Sequence, residues 1–142
     1  MITINQQVIA VLGMVLFIGL VLFFVIAMFR RRSSGLNIEK YRAIWLKIEN
    51  SLDRNNNMTY QMAVLTADKL LNQAMADCGV AGNTMGDRLK AANGRFSNIN
   101  DVWFAHKLRN RIAHDTDFQL NFITTQKALM IFKKALKELG AI

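Results

Sequence analysis

Hydrophobic and polar residues follow two regimes along this chain. From Val8 to Phe29 run 22 residues without a charge, VIAVLGMVLFIGLVLFFVIAMF. A helix of that length reaches ~33 Å, enough to cross a hydrocarbon layer of ~30 Å. From Ile38 onward the apolar positions recur at spacings of three and four, the signature of helical faces rather than of alternating strands. The first face carries Ile38, Tyr41, Trp45, Ile48 and Leu52, and the run Asn55, Asn56, Asn57 interrupts it. A second carries Val64, Ala67, Leu71, Ala74, Met75 and Cys78, with Gly79 as its expected stop.

Residues 80–97 read as a looser connection holding a short helix. Thr84 followed by Asp87 is the spacing of a capping arrangement, and Gly94 marks a further turn. A fourth segment begins near Asn98, supported by Asp101 in its first turn, and runs to about His114. The last helix puts Ala128, Ile131, Phe132, Ala135, Leu136 and Leu139 on one stripe and ends at Gly140. The expected fold is therefore all-α. It comprises an N-terminal segment 1–32 with a single transmembrane helix at about 8–29, a linker 33–37, and a small up-down helical bundle over 38–142. Trp45 and Phe132 are expected among the most buried aromatics.

A cleaved signal peptide is the alternative for the apolar run. No basic residue precedes it, and no short apolar region ends in a small-x-small site, so the spanning reading is preferred. Arg30, Arg31 and Arg32 follow the run, while the preceding MITINQQ is uncharged. Positive residues stay on the cytoplasmic side, which predicts a single-pass cell-membrane protein with its N-terminus outside and the bundle inside.

Charge adds little beyond this. The chain holds 18 basic and 10 acidic residues, a net +8, and all of them lie from Arg30 onward. Setting aside Arg30–Arg32 leaves fifteen basic against ten acidic residues, a net +5 for the remainder. That excess suits RNA or an anionic membrane surface without choosing between them. A lone cysteine, Cys78, cannot form an internal disulfide and reads as an inert thiol in an apolar stripe. The carboxylates are scattered singly, and two histidines eight residues apart do not make a zinc site, so neither metal nor cofactor is expected. Gly82 and Gly86 do not form a phosphate loop, because Arg88 follows where Gly-Lys-Ser/Thr would be needed and no strand precedes.

Candidate chemistry concentrates in Trp103–Asp115, WFAHKLRNRIAHD. Arg109 offers a planar guanidinium that neutralises phosphate in a bidentate way. His114 offers an imidazole that moves protons near neutral pH. Placing Val102 at zero on an ideal helix and adding about 100° per residue sets Ala105, Leu108 and Ile112 on the core face. Arg109 falls on its shoulder. Trp103, His106, Asn110 and His114 form an adjoining face, with Phe104, Lys107 and Arg111 opposite. His106 reads as a packing or supporting residue, and Arg109 has Asp68, Asp115 or Asp117 as carboxylates to pair with. Arg109 and His114 stand about 140° apart on one straight helix. A site using both needs either an early end to the helix or two chains.

The Arg-polar-x-x-x-His pattern of Arg109, Asn110 and His114, late in an all-helical chain, resembles the signature of HEPN domains. The run ADKLLNQAM, TMGDRLKAA, VWFAHKLRNRIAHD, ALMIFKKALKELG extends the resemblance over roughly residues 38–140. It implies a metal-independent endoribonuclease whose site combines residues of two protomers and leaves 2′,3′-cyclic phosphate ends. Arg109, Asn110 and His114 would be its catalytic residues, RNA its substrate and a second copy its partner. Family members without activity serve as binding or assembly modules, so a non-catalytic, membrane-anchored dimerisation or protein-interaction module is the rival reading.

Overall fold

The computed structural model describes residues 6–30, 35–92 and 94–142. These residues form six helices and no strand: α1 (Gln6–Arg30), α2 (Ile38–Asn50), α3 (Asn57–Asp77), α4 (Met85–Ala91), α5 (Ile99–His114) and α6 (Phe122–Glu138). They divide into two compact units, one formed by α1 and the other running from Gly35 to Ile142. Of the expected linker, Ser33 and Ser34 lie outside the described residues. Gly35–Asn37 belongs to the second unit, where Asn37 caps α2 by accepting a hydrogen bond from the Lys40 amide at 3.0 Å.

Among the described residues, α1 is the one helix long and apolar enough to cross a membrane. Its uncharged window Val8–Val25 has no buried side chain. Apolar residues all round, with no polar stripe, are what a lipid-facing helix requires and what a soluble surface helix avoids.

The second unit is a helical bundle with α3 at its centre, packed against α2, α4, α5 and α6. The sequence explains that position. Val64, Ala67, Leu71, Ala74 and Met75 are fully enclosed, and four of α3's buried residues are alanine or valine, small enough to let neighbours approach on several sides. Phe132 on α6 and Tyr41 on α2 are buried with them, and Trp45 is 4 % exposed. The helix ends are fixed locally. Asn56 accepts from the Met58 amide, and Thr84 and Asp87 form a reciprocal capping box on α4. Asn98 caps α5 through the amides of Asn100 and Asp101. At the end of α3, Gly79 takes φ +72°, letting the Val80 amide reach back to the Met75 carbonyl at 2.9 Å. Cys78 is the C-cap residue there. It is half-buried rather than enclosed, because the chain turns away one residue later.

Candidate functional site

The middle of α3 presents a carboxylate where an apolar residue would be expected. Asp68 sits between Ala67 and Leu71 on the buried face and is only 5 % exposed. Burying an unpaired carboxylate costs several kcal/mol or forces its protonation. Asp68 instead faces two partners from α5, which packs across α3. Its Oδ1 lies 2.8 Å from His106 Nδ1, and its Oδ2 lies 3.5 Å from Arg109 Nε. The second contact is an ion pair only, since Arg109 Nε is buried without an aligned hydrogen-bond acceptor.

The spacing of α5 supplies the remaining contacts. His106 and Asn110 are one helical turn apart, and Asn110 Nδ2 stands 3.3 Å from His106 Nε2. Arg109 Nη1 donates to Asn110 Oδ1 at 3.1 Å. Asp68, His106, Asn110 and Arg109 thus close a ring of polar contacts at the junction of α3 and α5. Trp103 packs edge-on to His106, ring centroids 6.0 Å apart, and screens the imidazole on one side.

This ring forms part of the wall of a cleft of about 740 Å³ between α3, α4 and α5. Met62, Leu65, Thr66, Lys69 and Asn72 come from α3, Met85 and Gly86 from α4, and His106, Arg109 and Asn110 from α5. On the α3 side, Asn72 Oδ1 accepts from Arg88 Nη1 at 2.8 Å, which ties α4 to the cleft. Two cations, Lys69 and Arg109, therefore line the cleft with one carboxylate, Asp68, whose charge already faces Arg109. Such a surface suits an anion that accepts hydrogen bonds, a carboxylate or a phosphate alike.

Of the three residues singled out from the sequence, Arg109 and Asn110 are brought together and line the cleft. His114, the last residue of α5, is exposed and lies outside it. Asp68, one of three carboxylates considered for Arg109, is its partner. His106 is buried where the helical wheel alone put it on a polar face, because α3 covers that side of α5. The pairing of Asp68 with His106 is not among the sequence-based expectations. A charged residue inside the α3 apolar stripe was its available signal. Comparison with protein-family models, curated proteins and solved structures gave no match.

Proposed function

We propose that the chain is a membrane-tethered, HEPN-like RNA-binding module on the cytoplasmic face of the cell membrane. Two copies brought together form a metal-independent endoribonuclease. The observation that carries this reading is the pair Arg109–Asn110, held by Asp68 and His106 at the wall of a cleft that also carries Lys69. Arg109 and Lys69 bind the scissile phosphate and its neighbour. Arg109 stabilises the charge that builds on the phosphorane-like transition state, and Asn110 orients the phosphate.

His114, exposed at the end of α5, reaches the cleft of a second copy and takes the proton of the RNA 2′-hydroxyl. The 2′-oxygen attacks phosphorus and the bond to the 5′-oxygen breaks. A solvent proton completes the leaving hydroxyl, and a 2′,3′-cyclic phosphate remains. Supporting the tether, α1 has the length and composition of a span and is followed by basic residues.

The test is cleavage and binding of a single-stranded RNA by the full chain in detergent with chelator present. Wild type yields cyclic phosphate ends. His114→Ala lowers the rate by about 10²–10⁴ while binding persists, and Arg109→Ala lowers binding and rate together. RNA binding without cleavage by wild type would remove the catalytic part. Absence of both would favour the non-catalytic docking module. Phe104, 40 % exposed beneath Lys127, together with Ile123 and Met130, would then be its contact surface.

A further inference from the structure

The contacts around Asp68 have a direction, and that direction bears on how the cleft would hold phosphate. Arginine only donates hydrogen bonds and an ionised carboxylate only accepts them. Between these fixed ends sit two side chains that each carry a donor group at one atom and an acceptor at another. Because Arg109 Nη1 donates at 3.1 Å, the Asn110 atom facing it must be the oxygen. The Asn110 amide nitrogen then faces His106 Nε2 at 3.3 Å and donates to it. Nε2 must therefore hold a lone pair, which puts the imidazole proton on Nδ1, donated to Asp68 Oδ1 at 2.8 Å. One tautomer and one amide orientation satisfy every contact. Donors run from Arg109 through Asn110 and His106 to Asp68.

We propose that Asp68 and His106 are positioning residues for the phosphate-binding pair Arg109–Asn110. Asp68 selects the Nδ1–H form of His106, and Nε2 of that form holds Asn110 with its oxygen turned to Arg109. Only one guanidinium N–H is occupied by Asn110, so others remain to meet a phosphate from a fixed position. Both positioning residues are buried, 5 % and 9 % exposed, so the contact between them is largely screened from water while Arg109 and Asn110 stay accessible from the cleft. The inference deepens the RNA reading and rests on it. A dyad that merely satisfied a buried carboxylate would leave RNA affinity indifferent to the identity of the group facing Asn110.

Two variants at one position separate these roles. An asparagine side chain places its amide near where Nδ1 stood, so His106→Asn keeps a donor for Asp68 and loses the acceptor for Asn110. Glutamine reaches the Nε2 position, so His106→Gln keeps the acceptor and loses the donor. The full chain in detergent is assayed for thermal stability and, by fluorescence anisotropy, for binding to a short single-stranded oligoribonucleotide. His106→Asn is expected to be at least as stable as His106→Gln, yet to bind RNA about tenfold more weakly. Nitrogen NMR of the imidazole in wild type is expected to report Nδ1 protonated and Nε2 bare. Equal affinities of the two variants, or the reverse order, overturn the positioning role while wild-type binding and its loss in Arg109→Ala keep the RNA reading. A protonated Nε2 also overturns it. Wild type that does not bind RNA overturns the functional reading and the positioning role with it.

Discussion

Asp68 and His106 lie 38 positions apart in the chain, on α3 and α5, and their side chains meet at 2.8 Å inside the bundle. Neither residue suits burial alone. Together they cross-link the two helices by a hydrogen bond to a charged group, stronger than one between neutral partners. The contact joins the fold to the candidate site, since the same carboxylate also faces Arg109.

Replacing Asp68 by alanine removes the acceptor and leaves the His106 donor buried without a partner. Chemical denaturation of the full chain in detergent should show a loss of about 1–3 kcal/mol. An unchanged midpoint would mean that the contact contributes nothing to holding α3 against α5.

Phe132 is fully enclosed between the helices of the bundle. Truncation to alanine opens a cavity and should cost about 3–5 kcal/mol, measured by the same denaturation. A loss below about 1 kcal/mol would require the surrounding helices to collapse into the space, against the limited relaxation usual for packed cores.

Glu49 accepts a hydrogen bond from Lys133 at 2.6 Å, and this contact holds its carboxyl below the ordinary glutamate range. A carboxyl with a depressed folded value contributes stability above its unfolded pKa of about 4.3 and loses it as pH falls through the folded value. In melting curves against pH, Glu49→Gln should therefore be less stable near neutrality by under about 1 kcal/mol. The gap to wild type should close as the medium is acidified below pH ~4. A gap that stays constant through the acid range would show that the charge of Glu49 is not the stabilising feature.

If α1 spans the membrane with the bundle inside, protease added to intact cells should leave residues 36–142 uncut. The full chain should also stay with the membranes after alkaline extraction. Digestion of that region from outside would reverse the topology, and release into the soluble fraction would remove the span.

Mixing Arg109→Ala and His114→Ala chains tests whether sites are shared between copies. In a two-fold dimer each mixed pair carries one site that lacks both groups and one that keeps both. A random mixture should then recover roughly a quarter of wild-type cleavage, although each variant alone is inactive. No recovery, with mixed dimers verified, would place both groups within a single chain's site.

The helices are legible along the chain alone. Spacings of three and four drew the faces of α2, α3, α5 and α6, and an uncharged run drew α1. Thr84 with Asp87, Asn98, Gly79 and Gly140 marked where helices begin and end, because caps depend on residues within one turn of each other. Arg109 and Asn110 were also legible as a pair, being adjacent. Which helix faces which depends on how the bundle packs. Periodicity states that one side of α5 is covered but not that α3 covers it, nor that Asp68 lies opposite His106 and not Arg109 alone. His106 looked polar-facing because the wheel knows one helix at a time, whereas α3, α4 and α6 together enclose more of α5 than its apolar stripe. The tautomer of His106 and the orientation of Asn110 lie further still from the sequence, since they follow from donors and acceptors that meet only after the helices pack.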